Sequence, residues 1–490
     1  MSQGRALART GRPLQVGAGN RGGDDMAGEG PIEAARIRAL NQAPPRQGRY
    51  VLYLMQQAMR SRDNPALEHA IDEANRLGLP VVVGFGLLDG GRTFPEANAR
   101  HYAFLLQGLA AARAGVERRG IAFVLRRSTP AAAALALGAE AALAVLDRGY
   151  LTVQRAWSAE IARGLACPVV QVEGDVVVPV ETASDKHEFA ARTLRPKLQR
   201  LWDSYLAPLR ARRVAHAADG LALASDLDVS DPEAALAALT LDRAVRPVRR
   251  FRGGEDEAMA RLDAYLAGPF AQYGTVRNRP EAGAASHMSP YLHFGQISPV
   301  AIALKVRAAA AGGPEDKASY LEELIVRREL AMNHVHYQPG YDRYESAVPD
   351  WARRALAEHA GDRRDPLYDE AALEEGRTHD RHWNAAMREM RETGYMHNHL
   401  RMYWGKKILE WSPSPEEGFR RTLRLNNRYF LDGRDPNSFT NVAWIYGLHD
   451  RPWGRRPIFG TVRYLGPNTL RKFDAAGYLR SVEALCAAEA

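Results

Sequence analysis

Cysteine is scarce in this 490-residue chain, and long apolar runs are absent. The two cysteines, Cys167 and Cys486, cannot form a disulfide framework, and such low usage suits a reducing compartment. No apolar run approaches the ~18 residues that span a bilayer. The Gly- and Arg-rich start of the chain also lacks the apolar region of a secretory signal. We therefore expect a cytoplasmic protein that does not use a membrane.

Two common ligand-binding motifs are missing as well. No GxGxxG turn follows the first predicted strand, so nothing announces a dinucleotide site by the usual phosphate-cradling turn. Zinc sites on helices combine histidines with cysteines or with an HExxH context, and His379 and His382 have neither. The sequence therefore predicts no metal centre.

What the chain has in excess is a basic, aromatic segment, residues 395–472. It includes YMHNHLRMYWGKKILEW, LNNRYFLDGRDPN and NVAWIYGLHDRPWG, and its 14 Lys and Arg against 6 Asp and Glu account for the whole net charge of +8. Aromatic rings interleaved with arginines can stack on bases and neutralise phosphates. They can equally stack on a flavin and pass electrons, so both interpretations stay open at this point.

Hydropathy patterns divide the chain into four parts. Residues 1–48 are predicted to be a disordered, basic, Gly-rich tail. Residues 49–178 alternate continuous apolar runs with helical repeats, one of them capped by Asn64 with Pro65 next, which predicts a Rossmann-like, doubly wound parallel α/β sheet. Residues 179–254 are predicted to be an interdomain linker. Residues 255–490 are predicted to form an all-α domain.

Two strings in the predicted helical domain have more than one interpretation. In ASHMSPYLHFGQIS (285–298), Ser289 could cap a helix with Pro290 as its first residue, and free N–H groups there could hold a phosphate. A plain capped helix is the alternative. In YLEELIVRREL (320–330), Glu322 and Glu323 flank an apolar face, either as a solvated edge or as a proton donor in a cleft.

Further candidates lie in the aromatic segment. Trp404 and Trp411 are seven residues apart on a predicted helix and share one face, where core packing is the ordinary role of aromatic rings. Arg401 could pair with Asp432, an arrangement that is costly when buried. The density of Asn and Asp in LNNRYFLDGRDPN (425–437) exceeds what its turns require.

Taken together, SPYLHFGQIS, LEELIVRREL, MHNHLRMYWGKKILEW and LDGRDPN resemble the photolyase/cryptochrome family, and within it the class II cyclobutane pyrimidine dimer (CPD) photolyases, over roughly residues 49–473. The resemblance implies FAD in the all-α domain, reduced and anionic in the active state. It implies light-driven repair of UV-damaged DNA, in which the flipped-out dimer receives an electron from the flavin. A cryptochrome-like flavin photoreceptor and a (6-4) photolyase, which would need a histidine such as His287, are the alternatives.

The resemblance also assigns roles to residues of this chain. Glu323 would hydrogen-bond the dimer, with Glu322 as runner-up, and Met402 and Trp444 would pack against the dimer. Asn426 would lie beside the flavin ring as a neutral amide, and the Arg401–Asp432 pair completes the implied catalytic set. Electron transfer to oxidised flavin is implied for Trp404, nearest the flavin, Trp383, and Trp411, nearest solvent. FAD binding is implied for Tyr273, Ser286, His287, Met288, Ser289, Asn398, Arg401, Asn426, Asp432 and Asn437.

The remaining expectations concern partners. An antenna chromophore in the α/β domain varies within the family, and the sequence does not select a deazaflavin, a folate or none. We expect a monomer that binds damaged DNA without an obligate protein partner. Its location would be the cytoplasm, in association with a bacterial-type nucleoid.

Overall fold

A six-stranded sheet forms the first part of the fold. The computed structural model describes residues 32–89 and 93–490. In chain order the strands are β1 (Ile37–Ala39), β2 (Tyr50–Leu54), β3 (Val81–Gly86), β4 (Ala122–Arg126), β5 (Ala141–Asp147) and β6 (Val169–Val172). Their spatial order is β1-β6-β5-β2-β3-β4, and every adjacent pair is parallel except β1 with β6. The predicted parallel α/β sheet is therefore confirmed.

Four helices connect and cover the strands, which explains why β2, β3 and β5 are buried along their whole length and consist mainly of apolar residues. At the first helix, the Asn64 side chain accepts hydrogen bonds from the N–H groups of Ala66 and Leu67, and Pro65 opens the first turn. This cap is the one the sequence predicted. The helices are α1 (Pro65–Leu77), α2 (Ala99–Glu117), α3 (Pro130–Gly138) and α4 (Thr152–Gly164).

The prediction of a disordered tail over residues 1–48 is wrong for residues 32–48. Here β1 extends the edge of the sheet, and both Ile32 and Arg36 are buried. The Arg36 guanidinium donates hydrogen bonds of 2.7–3.0 Å to three backbone carbonyl groups between residues 173 and 177. These contacts offset the cost of burying its charge and hold the segment in place. Residues 1–31 lie outside the described residues.

The predicted linker is an ordered part of the core. Besides α5 (Val180–Ala183), α6 (Ala191–Tyr205) and α7 (Pro232–Ala237), it contributes buried apolar side chains such as Leu198 and Phe251. These side chains join the cluster that includes β2, β3 and the helices around residues 291–330. Residues 32–490 accordingly form one compact unit. This segment is not a flexible linker, because its apolar residues are removed from water.

Residues 255–490 are helical, as predicted, and every strand in the described part of the chain lies before them. A π-helical segment, Glu322–Arg327, joins two of these helices. No helix among the described residues combines the length and apolar character needed to cross a bilayer. The helices are α8 (Glu255–Ala267), α9 (Tyr273–Val276), α10 (Ser289–His293), α11 (Pro299–Ala308), α12 (Pro314–Leu321), α13 (Arg328–Tyr337), α14 (Tyr344–Ala347), α15 (Asp350–Glu358), α16 (Glu370–Glu375), α17 (Arg381–Thr393), α18 (Asn398–Trp411), α19 (Pro415–Tyr429), α20 (Pro436–Ile445) and α21 (Ala475–Glu489).

Candidate functional site

A cleft between the helices of the all-α part collects most of the predicted site residues. Its free volume is about 1190 Å³ when its open mouth is included. The walls come from α9, α10, α12, the π-helical segment, α13, α18, α19 and α20, together with the loops beside them. Residues from five separate sequence segments therefore face one space. The predicted residues in its lining are Tyr273, Ser286, Met288, Ser289, Glu323, Asn398, Arg401, Met402, Trp404, Asn426, Asp432 and Asn437.

An ion pair that the sequence predicted forms in the wall of this cleft. Both terminal nitrogens of Arg401 donate to the two carboxylate oxygens of Asp432 at 3.1 Å. Arg401 Nε also donates to the carbonyl oxygen of Met396 at 2.9 Å, and its guanidinium lies 3.9 Å from the centre of the Phe430 ring. The two charged side chains are mostly buried, at 18% and 11% exposed. This network fixes a planar charged group at the cleft surface.

The two adjacent glutamates of the π-helical segment point to different surroundings. Glu323 lines the cleft, and its Oε1 accepts a hydrogen bond of 2.5 Å from Arg277. Burial alone would lower the pKa of Arg277, but the charge and hydrogen bond of Glu323 raise it above its ordinary value. Glu322 instead forms a two-point ion pair with Arg195, at 2.7 and 2.9 Å, and does not line the cleft. The geometry thus separates one acid in the cleft from one outside it.

Asn426 provides a buried amide in the cleft wall, where it is 6% exposed. Its Nδ2 donates to the side-chain oxygen of Asn427 at 3.1 Å. The same oxygen of Asn427 accepts the backbone N–H of Arg434 at 2.9 Å. The Asn426 side chain is therefore oriented by a second amide that is itself held by the following loop. Such support favours one rotamer at the cleft surface.

Three tryptophans lead from the cleft into the protein. Trp404 lines the cleft, and its Nε1 is buried without a hydrogen-bond partner among the described residues. Trp383 lies behind it and donates Nε1–H to the Trp404 carbonyl oxygen at 3.0 Å. The rings of Trp383 and Trp411 meet edge-to-face with their centres 5.5 Å apart. Trp411 is only 2% exposed, so the surface is reached through its neighbours Tyr368 and His379.

Besides Glu322, Trp383 and Trp411, two more predicted residues, His287 and Trp444, lie outside the lining. His287 is half-buried and packs against Tyr395, with ring centres 4.6 Å apart, and its backbone is left-handed at a φ of 56°. Burial, followed by the charges of Arg250 and Arg261, lowers the pKa of His287 to about 3. Trp444 faces Lys406 and Arg463 instead of the cleft.

The predicted cap at the start of α10 is also wrong. Ser289 is the first residue of this five-residue helix and Met288 occupies the cap position, with no side-chain capping hydrogen bond. The Ser289 side chain is therefore not used as a helix cap. It remains a polar group of the cleft lining, next to Ser286 and Met288.

Aromatic side chains that sequence reasoning missed complete the lining. Tyr320 donates its hydroxyl to Ser286 Oγ at 3.0 Å, and its ring centre lies 5.2 Å from that of Tyr273. Tyr395 and Phe430 form another part of the wall. The dense aromatic character of residues 395–472 was a usable signal for the latter two. Tyr320 had no comparable local signal.

A second missed group is polar. His293 Nδ1 lies 3.3 Å from Asp435 Oδ2, and Asp435 Oδ1 accepts the backbone and side-chain N–H groups of Asn437 at 2.8 Å. Burial alone would raise the pKa of Asp435, but the hydrogen bond and charge of His293 bring it below its ordinary value. Arg328 and Asn441 also line the cleft.

Known proteins similar in sequence to this chain are DNA photolyases. The sequence profile of the DNA photolyase family matches residues 51–214. The deoxyribodipyrimidine photo-lyase of Methanothermobacter thermautotrophicus is 46% identical over 464 residues, which cover 93% of this chain and 99% of that protein. The chain belongs to the photolyase family.

Solved structures show the same fold at lower identity. A class III photolyase from Agrobacterium tumefaciens has a TM-score of 0.69 at 20% identity, covering 90% of this chain and 87% of the other. A cryptochrome from Synechocystis sp. PCC6803 has a TM-score of 0.67 at 17% identity, covering 90% and 89%. Because one neighbour is a photolyase and the other a cryptochrome, the fold alone does not distinguish repair from signalling.

Proposed function

We propose that this chain is a deoxyribodipyrimidine photo-lyase of class II, which uses light to repair cyclobutane pyrimidine dimers in DNA. The observation that carries the proposal is the cleft itself, in which an acid, Glu323, faces the same space as Trp404. The near full-length similarity to a protein of that name supports the assignment.

The cleft fits FAD, the cofactor that family membership implies. A buried indole N–H without a partner, the oriented amide of Asn426 and several aromatic faces suit a large, flat, polar-edged ring system. The polar group of Tyr273, Ser286 and Ser289 would hold the phosphates. The rest of the FAD molecule would be held by Asn398, Arg401, Asp432 and Asn437. When bound in its reduced, anionic form, FAD supplies the light-driven electron that splits the cyclobutane ring.

Within this cleft, Glu323 would bind the dimer. Its partner Arg277 forms an ion pair with it and orients the side chain, whose oxygens would form hydrogen bonds with the dimer. Met402 would add an apolar contact to the flipped bases. Trp444 lies outside the lining, so we propose that it acts at the rim, where it packs with Arg463.

The tryptophans would supply electrons that bring oxidised cofactor to its active state. The order from the cleft is Trp404, Trp383 and Trp411, and each is in contact with the next. Because all three rings are buried, an electron taken from Trp411 would be replaced from the surface through Tyr368.

DNA would bind on the exposed basic surface formed by residues 451–463. Residues 451–457 are all exposed, and both Arg451 and Arg463 lie 4.8 Å from the centre of the Trp453 ring. Trp453 is itself 38% exposed, which is unusual for so large a ring. Arginines around an exposed aromatic ring suit a phosphate backbone beside an unstacked base.

Other arginines of the basic segment have different partners. Arg420 and Arg421 pair with Glu417, and Arg424 pairs with Glu370 and Glu374. Their charges are neutralised within the protein. The proposed DNA contact is thus narrower than the whole basic, aromatic segment, residues 395–472.

A second cavity lies beside the sheet and would suit the antenna chromophore. Phe85, Leu105 and Trp157 give it apolar walls, and Gln56 and Gln57 give it polar groups. A deazaflavin and a folate both combine a flat ring with polar edges. The absorption spectrum of the purified protein distinguishes them and also tests for the absence of either.

The decisive experiment is illumination of the FAD-loaded chain with DNA that contains thymine dimers. We expect a flavin spectrum and light-dependent recovery of thymine absorbance. The variant Glu323→Ala should lose most of its repair rate, whereas Glu322→Ala, which removes the adjacent acid outside the cleft, should retain it. Equal repair by wild type and Glu323→Ala would contradict the assigned role.

Flavin binding without repair, after full reduction, would favour the photoreceptor alternative, which the cryptochrome neighbour keeps open. The (6-4) alternative has less support. Its candidate, His287, lies outside the cleft lining against Tyr395, and its lowered pKa keeps it neutral. His293 does line the cleft, but Asp435 occupies its Nδ1.

A further inference from the structure

Three histidines from distant parts of the chain meet outside the cleft. His187 lies between α5 and α6, His334 lies on α13, and His449 lies in the loop after α20. One ligand nitrogen from each lies within 4.8 Å of the others. His334 is fully buried and the other two are half-buried. The family assignment and the cleft give these side chains no role.

Hydrogen bonding leaves part of this cluster unsatisfied. His334 Nε2 and His449 Nε2 are buried and have no partner among the described residues. Buried ring nitrogens without partners are costly, and coordination to a metal ion would satisfy them. The other nitrogen of His449 is 2.8 Å from the Phe189 carbonyl oxygen, which is the orienting contact that metal-bound histidines usually make.

We propose that His187, His334 and His449 bind one divalent transition-metal ion of the kind that prefers imidazole, with Zn²⁺ as the first choice. Three imidazoles held tetrahedrally at about 2.1 Å would place their ring centres about 5.2 Å apart. The observed separations are 5.0, 5.8 and 6.1 Å. The 3.0 Å contact between His187 Nε2 and His334 Nδ1 also shows that these two imidazoles are held close together.

The site would fasten three segments to one another. No Asp or Glu joins the cluster in the described part of the chain, so a water molecule would complete the tetrahedron. His449 has a left-handed φ of 58°, a conformation that a non-glycine residue adopts only under constraint. A metal bond at this residue would hold the loop that continues into Arg451 and Trp453. The ion is therefore a structural support for that basic surface.

The test uses the full chain with FAD, produced without a histidine tag and freed of metal by chelator. We expect isothermal titration with Zn²⁺ to give one site per chain. Binding should weaken by at least about tenfold in His187→Ala and in His449→Ala. His216→Ala is the matched control, because His216 is exposed and outside the cluster, and it should bind like wild type.

The proposal is overturned if neither His187→Ala nor His449→Ala weakens zinc binding. It is also overturned if the wild type binds Zn²⁺ no more tightly than the double variant that carries both changes. If the variants lose their flavin spectrum and are misfolded, X-ray absorption of the zinc-loaded wild type decides. Three imidazole ligands at about 2.0–2.1 Å are expected. A zinc spectrum with fewer than three imidazoles would refute the site.

Discussion

The Arg401–Asp432 pair can be tested by the change Asp432→Asn, which removes a charge and keeps the shape. The carboxylate accepts two hydrogen bonds of 3.1 Å from a charged donor, each of a type that contributes about 1.5–3 kcal/mol. An asparagine oxygen can keep one of them. Arg401 also keeps its bond to Met396 and its contact with Phe430. Loss of a partner in a fully buried pair costs about 3–5 kcal/mol, and here both groups retain some exposure.

We therefore expect Asp432→Asn to lower the free energy of unfolding by about 2 kcal/mol. Urea unfolding of the FAD-free chain, followed by tryptophan fluorescence and by circular dichroism, measures this value. The control is Asp263→Asn, because Asp263 pairs with Lys305 at 2.7 Å on the surface, where such pairs contribute about 0–1 kcal/mol. Repeating both measurements with FAD adds any loss of cofactor binding. An Asp432→Asn effect no larger than that of the control would refute the reasoning.

Three further outcomes are expected. Trp404→Phe should nearly abolish photoreduction of oxidised FAD, while repair by the chemically reduced enzyme persists. The control Trp351→Phe, which lies outside the chain of three rings, should change neither activity. Normal photoreduction in Trp404→Phe would contradict the proposed electron path. Arg451→Ala should weaken DNA binding and lower the steepness of log affinity against log salt concentration by about 1, whereas Arg420→Ala should leave it unchanged. An equal change in both variants would contradict the placement of the DNA contact at residues 451–463. Burial lowers the pKa of Lys406 to about 7. Between pH 7 and 10 the unfolded chain therefore binds the proton that the folded chain has lost, and the contribution of Lys406 to wild-type stability rises with pH. Lys406→Met removes this dependence. In urea unfolding, the difference in unfolding free energy between the variant and the wild type should therefore shift in favour of the wild type by up to about 3 kcal/mol from pH 7 to pH 10. A difference that stays constant would show that Lys406 does not titrate in this range.

Local patterns predicted the features that depend on neighbouring residues. Strands such as β3 are continuous apolar runs because both faces of a parallel sheet are covered, and α1 begins where Asn64 and Pro65 indicate. The pairing of Arg401 with Asp432 followed from charge and family resemblance together. Each of these predictions uses a signal contained within a short window of sequence or a long, specific string.

Features that depend on tertiary contacts could not be predicted in this way. β1 has three residues, too few for a periodic pattern, and it is ordered by pairing with β6. Residues 179–254 are predicted to be a linker, yet their apolar side chains pack into the core through contacts with distant parts of the chain. Ser289 is not the cap because α10 begins one residue earlier than predicted, with Ser289 as its first residue and Met288 before it.

The histidine cluster and the two glutamates illustrate the same limit at the level of chemistry. His187 and His334 are 147 residues apart, so no ligand spacing in the sequence connects them. Glu322 and Glu323 are adjacent, so the sequence could name both but not choose between them. The π-helical segment and the partners Arg195 and Arg277 make that choice, by directing one carboxylate out of the cleft and the other into it. A single substitution at each glutamate consequently separates a role in the cleft from a role in the surface ion pair.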